Sequence, residues 1–129
     1  MPKYVKSMEE VTAYRMPGPK RTARILIDGP SDGAKYISLG LCVIDPRSEI
    51  PYHSHEDAEE VMYIFKGQGK AIINGVDYEL KENSSVYCPP RIMHQIANPN
   101  DDELWFAFAY APPGAEQAVK QRGKPLNSI

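Results

Sequence analysis

The chain has 129 residues, a hydrophobic content of 42% and a formal net charge of −2. This length predicts one domain, 1–129, with enough apolar residues for a buried core. The weak and scattered charge argues against a nucleic-acid or membrane partner. No run approaches the ~18 apolar residues that a membrane span needs. The N-terminal stretch MPKYVKSMEE lacks the apolar segment of a signal peptide.

Short runs rich in Val, Ile, Tyr and Phe alternate with turn residues along most of the chain. In chain order, the predicted strands cover residues 24–28, 34–44, 52–55, 60–65, 70–74, 76–80, 85–88, 92–97 and 103–110. Asn74 and Gly75 predict a type I′ hairpin turn, in which both central residues need a positive φ. Many short strands at this spacing favour an all-β sandwich or barrel.

The two ends of the chain differ in composition from the predicted barrel core, which covers about 24–111. Residues 1–20 contain three prolines and several charges, and residues 111–129 are polar, with one candidate helical turn at 115–121. We expect both ends to be arms that wrap the barrel, wrap a partner subunit or fray.

The two cysteines, Cys42 and Cys88, lie in separate apolar runs. Two cysteines in this arrangement do not make a disulfide framework, so both are predicted to be buried thiols. Free thiols indicate a reducing compartment, and we therefore expect a cytoplasmic protein.

All three histidines fall within predicted strands. His53 and His55 are two residues apart, and such residues point to the same face of a strand. His94 lies far along the chain in another apolar strand, and Glu60 opens the strand that follows the first pair. One His-x-His pair also arises by chance. Together, however, the four side chains supply nitrogen and oxygen donors that suit one divalent Fe, Mn, Co, Ni, Cu or Zn ion.

The spacing around these histidines resembles the two motifs of a small single-domain cupin. His53, His55, Glu60 and Gly67 match the first motif, in which four residues separate the second His from Glu and six separate Glu from Gly. In the second motif, the matching residues are Pro89, His94 and Asn98.

The cupin resemblance implies a double-stranded β-helix, or jelly roll, with metal ligands at His53, His55, Glu60 and His94. Glu59 competes with Glu60, because the family allows three or four residues at this place. The six-residue spacing to Gly67 selects Glu60.

Arg47, Asn83 and Arg91 stand where the family has glycine. Asn visits the left-handed region readily, so Asn83 can keep the turn geometry. We expect the turns at Arg47 and Arg91 to avoid a positive φ. Alternatively, one of these arginines lies at the barrel mouth and binds an anionic substrate. Arg91 is then preferred, because it is three residues from His94.

Some cupin lyases carry a tyrosine base two residues after the metal-binding glutamate, but Met62 stands there in this chain. Tyr63 is one step later and points to the opposite face. Met62, Ile92 and Ile96, with Phe106 or Phe108, are candidates for an apolar lining that contacts the substrate. Each of them can equally serve core packing. No catalytic residue is assigned.

The resemblance implies a metal-dependent enzyme for a small oxygenated metabolite, and a dioxygenase-type oxidoreductase is the leading hypothesis. The second is a redox-neutral decarboxylase, isomerase or lyase acting on a small hydroxy- or keto-acid or a sugar. The third is a non-catalytic binding or sensing protein. Because the family resemblance implies dimers, we expect a homodimer that pairs through an exposed edge strand at residues 22–28.

Overall fold

Eleven short strands and three helical segments make up the regular structure of residues 3–126, the part of the chain that the computed structural model describes. The strands are β1 (Ala13–Arg15), β2 (Arg21–Ile27), β3 (Ser38–Ile44), β4 (Ser48–His53), β5 (Glu59–Lys66), β6 (Gly69–Ile73), β7 (Val76–Leu80), β8 (Ser85–Cys88), β9 (His94–Asn98), β10 (Leu104–Ala111) and β11 (Lys124–Pro125). The helical segments are a 3-10 helix (Met8–Glu10), α1 (Gly29–Asp32) and α2 (Gln117–Arg122). None of these helical segments is long and apolar enough to cross a membrane.

The strands form two antiparallel sheets. One sheet has the order β11-β1-β2-β3-β10-β5-β8, and the other has the order β4-β9-β6-β7. Their apolar faces share one core, to which both sheets contribute buried side chains. This arrangement is consistent with the jelly-roll barrel that the sequence analysis predicts.

The inward face of β5 explains how a carboxylate reaches the interior. Side chains along this strand alternate between buried and exposed, and Glu60, Met62 and Ile64 form the buried row. Alternation of this kind is the rule for a strand that covers a core on one face. Glu60 is only 3% exposed, and a buried carboxylate needs charged or hydrogen-bonding partners.

Several strand boundaries differ from the prediction, and two of them concern the histidines. β4 ends at His53, so His55 lies in the loop that follows, and β9 begins at His94, so Ile92 lies before the strand. The expectation that all three histidines lie in strands is therefore wrong for His55. The pairing of β4 with β9 shifts register between Ile50 and His53, so an irregularity in the ladder precedes the His53–His94 pair.

Residues 29–32, predicted as part of a turn, form the single helical turn α1. Asp28 caps this turn, because its Oδ1 accepts a hydrogen bond from Ser31 N at 2.8 Å. Gly33 ends it in the left-handed conformation, with φ 76°.

The N-terminal arm changes which strand lies at the sheet edge. β1 pairs with β2, and β11 pairs with β1, so the described parts of both ends wrap the chain's own barrel. β2 is therefore an interior strand, and the expectation of an exposed edge at 22–28 is wrong. The edges of the large sheet are β11 and β8.

The turns at the replaced glycines keep positive φ angles. Asn83 has φ 70°, as expected, but Arg47 and Arg91 also have positive values, 56° and 64°. The expectation that both arginine turns avoid this region is wrong. The peptide N–H of Arg91 donates to His55 O at 2.7 Å, and this contact fixes the backbone of the turn. Neighbouring structure thus holds the arginines in a conformation that costs about 1–2 kcal/mol for a residue with Cβ.

Cys42 and Cys88 are both buried and unbonded to each other. Burial raises the pKa of the Cys42 thiol to about 12, so this group stays neutral at physiological pH. The prediction of buried free thiols is confirmed.

Candidate metal centre

Three structural elements and one loop bring the predicted ligands together. His53 ends β4 and is the register partner of His94, the first residue of β9. Glu60 reaches them from β5 in the opposite sheet. His55 arrives on the loop between β4 and β5, whose carbonyl at this residue accepts from the N–H of Arg91. Residues from both sheets therefore meet inside one end of the barrel.

The four side chains are close enough to share one ion. One ligand atom from each of His53, His55, Glu60 and His94 lies within 4.8 Å of all the others. The imidazole ring centroids are 4.4–5.4 Å apart. Ligands about 2.1 Å from a transition ion are separated by roughly 3–4.2 Å, so the set needs only a small contraction to close around a metal.

Second hydrogen bonds orient two of the imidazoles. The Nδ1 atom of His53 lies 2.7 Å from Pro51 O, and that of His94 lies 2.9 Å from Ile92 O. A carbonyl only accepts, so Nδ1 donates in both rings and Nε2 is the nitrogen that faces the cluster and can bind a metal in its unprotonated form. Metal-binding histidines are held in this way.

The third imidazole leaves a buried nitrogen without a partner. Within the described residues, no hydrogen bond reaches Nε2 of His55, and the nearest carboxylate oxygen, Glu60 Oε1, is 3.4 Å away. Buried polar atoms are nearly always satisfied. An unsatisfied imidazole nitrogen that faces a carboxylate and two further imidazoles fits a divalent cation.

The charge states of the clustered side chains favour the binding of a cation. Burial would raise the pKa of Glu60, but His55 and His94 outweigh burial and lower it, so this carboxyl is ionised. Burial lowers the pKa of His53, which favours the neutral ligand form. Burial would also lower the pKa of His94, but contacts with Cys88 and Glu60 raise it to about 10. A proton on His94 thus balances Glu60 until a metal replaces it.

A cavity of about 240 Å³ opens beside this centre. His53, His55 and Glu60 form one part of its wall, and α2 with the turn before it forms another. Most of the remaining lining is apolar, and it includes Phe106 and Phe108 from the inward row of β10. A small molecule in the cavity would therefore meet the metal ligands on one side and apolar side chains around it.

The other residues singled out in the sequence have different positions. Met62 lines the cavity, but Ile92 and Ile96 are not part of its wall. Ile96 is 1% exposed and belongs to the core. Arg91 is exposed and outside the cavity lining, and its Nη1 donates to Glu56 O at 3.3 Å. Arg47 is also exposed and pairs with Asp101.

Sequence reasoning missed three polar groups of the cavity, Arg21, Tyr110 and Glu116. Tyr110 is the cross-strand partner of Glu60. Burial and the Glu60 carboxylate raise the pKa of its hydroxyl well above the usual range. The alternation of β10 could have revealed Tyr110, since it continues the inward row of Phe106 and Phe108.

Comparison with known proteins supports the fold and the family. A cupin domain model matches residues 40–110, more than half of the chain. The uncharacterized protein MJ1618 of Methanocaldococcus jannaschii is 29% identical over 76 residues, which cover 59% of this chain and 61% of MJ1618. The chain thus spans about three fifths of the length of that relative.

Two solved structures illustrate the similarity. A predicted oxalate decarboxylase from Thermotoga maritima superposes with a TM-score of 0.76 at 24% identity, over 84% of this chain and 98% of that chain. The polyketide cyclase RemF from Streptomyces resistomycificus superposes with a TM-score of 0.74 at 27% identity, over 86% of this chain and 80% of that chain. The first likeness shows the fold alone. With the family model covering more than half of its residues, the chain belongs to the cupin family.

Proposed function

We propose that the protein is a metal-dependent cupin enzyme that carries out a redox-neutral reaction on a small oxygenated metabolite. One observation carries this proposal: three imidazoles and one carboxylate have ligand atoms within 4.8 Å of one another, and His53, His55 and Glu60 of this set form part of the wall of a mostly apolar cavity. A purely structural metal site would be closed by its ligands, whereas this one faces the cavity.

The residues that would hold the ion are His53, His55, Glu60 and His94. A divalent transition ion bound there would act as a Lewis acid on a carbonyl or carboxylate oxygen. The carbonyls of Pro51 and Ile92 orient two of the imidazoles with Nε2 towards the cluster, and Glu60 and His94 are buried from water.

Tyr110 is our candidate for a hydrogen-bond donor to the substrate oxygen in a redox-neutral reaction. Its side chain lines the same cavity and lies against Glu60 and the ring of His55, with ring centroids 4.9 Å apart. Its raised pKa keeps the hydroxyl protonated, so it stays a neutral hydrogen-bond donor instead of transferring its proton. Reactions that build negative charge on a carbonyl oxygen are accelerated by such a donor.

The apolar lining supports a small substrate. The volume of about 240 Å³ lies below the usual range of ligand pockets, roughly 300–1,000 Å³. The relative RemF, at 27% identity, is a polyketide cyclase. Its name supports a redox-neutral reaction over the dioxygenase-type reaction that the sequence analysis favours.

The deciding experiment is turnover with and without oxygen. Protein loaded with Mn(II), Fe(II), Co(II), Ni(II) or Zn(II) is incubated with a panel of small 2-oxo acids, 2-hydroxy acids and sugars, and products are followed by NMR. We expect turnover in an anaerobic vessel. Tyr110→Phe should lower it at least about a hundredfold with unchanged metal content. Stoichiometric oxygen consumption would instead assign the dioxygenase-type reaction, and protein that holds no metal would overturn the proposal.

We further propose a cytoplasmic homodimer. Val61, Tyr63 and Phe65 on β5, with Tyr87 on β8, are 41–53% exposed on the outer face at one edge of the large sheet. Contiguous apolar side chains on a surface support association with another protein surface. A second copy that covers this face would replace the interface that the sequence analysis assigned to residues 22–28.

A further inference from the structure

A buried arginine lines the cavity beside the metal centre. Arg21 opens β2 on the same inward row as Ala23 and Ile25, and its side chain lies in the wall of the cavity. The residue is only 8% exposed. Arginine keeps its charge in proteins, so this position puts a fixed positive charge inside the barrel.

The guanidinium lacks a compensating charge. Its one side-chain hydrogen bond goes from Nη1 to Pro19 O at 3.0 Å, and within residues 3–126 it forms no ion pair. Cys42 lies nearby but holds a neutral thiol. A buried charge without a partner is costly, and this guanidinium still has most of its five N–H donors free.

The carboxylates of the cavity wall are engaged elsewhere. Glu116 accepts from Gly114 N at 2.8 Å and from Gln117 Nε2 at 2.9 Å. Glu60 belongs to the imidazole cluster. A second cation, Arg122 at the end of α2, also lines the cavity and adds to the positive field at Arg21. The missing negative charge is therefore one that a ligand can bring.

We propose that Arg21 binds an anionic group of the substrate, and that the substrate is a small organic acid with a carboxylate at one end and metal-chelating oxygens at the other. The claim that the other end of the ligand chelates a metal rests on the function proposed above. Arg21 receives the carboxylate through paired N–H donors, a geometry that guanidinium groups favour. The apolar side chains of the same cavity, which include Met62 and Phe106, contact the carbon chain.

Arg21 fits this role better than Arg91, the arginine that the sequence favours. Arg91 is exposed and lies outside the cavity, where water weakens any ion pair. Arg21 is buried, and a charge-assisted hydrogen bond gains strength when water is excluded. Because Arg21 is buried, we expect a large difference in affinity between acids that have the second carboxylate and acids that lack it.

The test compares matched acids that differ only in the distal carboxylate. Calorimetric titration of Ni(II)-loaded protein uses 2-oxoglutarate against 2-oxopentanoate, and 2-oxoadipate against 2-oxohexanoate for a longer span. We expect at least one dicarboxylic acid to bind about ten- to a hundredfold more tightly than its monocarboxylic match. Arg21→Met should remove this preference and leave the affinity for the monocarboxylic acid unchanged. Arg21→Lys should retain part of it.

Arg24→Met is the matched control, because Arg24 lies on the same strand in the outward phase and outside the cavity wall. This variant should keep the full preference. Ligand-free Arg21→Met should melt at or above the wild-type temperature, since an uncompensated buried charge is removed. A lower melting temperature together with an unchanged acid preference would mean that Arg21 only supports the turn at Pro19, and the inference would be wrong.

The two proposals fail in different ways. Equal binding of both acids of every pair by wild-type protein, or a preference that survives in Arg21→Met, overturns the anion-binding role of Arg21. The metal centre is judged separately, by elemental analysis and by the affinity for 2-oxopentanoate with and without the ion. Tighter binding of the dicarboxylic acids to chelator-treated wild-type protein, lost in Arg21→Met, would support the role of Arg21 without any metal.

Discussion

Asp28 connects the start of α1 to α2, the helix that forms part of the cavity wall, and Asp28→Asn should destabilise this connection. The Asp28 carboxylate is 1% exposed. Its Oδ2 accepts from Lys120 Nζ at 2.6 Å and from Gln117 Nε2 at 2.8 Å, both on α2. Its Oδ1 accepts from Ser31 N. One side chain thus holds two segments that are far apart in sequence.

The magnitude follows from the pKa of this group. Burial would raise the pKa of Asp28, but the hydrogen bonds from Lys120, Gln117 and Ser31 outweigh burial and lower it from 3.8 to about 2. A pKa that is nearly two units lower in the folded state than in the unfolded state corresponds to roughly 2 kcal/mol of folding free energy. Since the folded-state pKa is the lower one, this stability is fully present above about pH 4 and is lost as the pH falls towards 2.

Urea unfolding at several pH values measures the effect. At pH 7, Asp28→Asn should lower the free energy of unfolding by roughly 2 kcal/mol, or the melting temperature by about 8 °C for a chain of this length. The gap should shrink as the pH falls from 4 to 2. Asp77→Asn is the control, because the Lys70–Asp77 pair is exposed and should contribute less than about 1 kcal/mol.

Two results would refute this reasoning. The first is a gap between wild type and Asp28→Asn that stays constant from pH 7 to pH 2, because the effect would then not come from the ionised carboxylate. The second is an additive effect of Asp28→Asn and Lys120→Met, since residues that share an ion pair should show a coupling energy.

Three further predictions concern the metal centre, the cavity and the assembly. His94→Ala should reduce the metal content, measured by elemental analysis of protein purified without chelator, from close to one ion per chain to a small fraction, since His94 is one of the four clustered side chains; full content would refute its role as a ligand. Gly40→Ala should lower the free energy of unfolding in urea by about 1–3 kcal/mol, because a Cβ there would overlap the Phe108 ring, whereas a Cβ at the control position Gly18 meets nothing within 4 Å; equal stabilities of Gly40→Ala and Gly18→Ala would refute this prediction. Light scattering at micromolar concentration should give twice the chain mass of 14.5 kDa, and Tyr63→Glu on the exposed face of β5 should give one chain mass; a monomeric wild type would exclude the homodimer.

The candidate metal cluster could be anticipated because its signal is local. The separation of two residues between His53 and His55, and the spacing from Glu60 to Gly67, are properties of short stretches of sequence. The structure brings these side chains together with His94. The position of His55 on a loop could not be predicted from the sequence, since it depends on where β4 ends and on the hydrogen bond from Arg91 on a distant loop.

The sequence by itself determined the all-β class, the Asn74-Gly75 hairpin and the alternation of buried and exposed side chains, because each depends on neighbouring residues only. Tertiary structure alone decided that β1 covers β2, which removes the expected edge strand. It also decided that Arg21 faces the cavity and Arg91 does not. The phase of a strand and the partner on each side of it are set by pairing between distant segments, and a shift of one residue would have sent Arg21 to solvent and Arg24 inward.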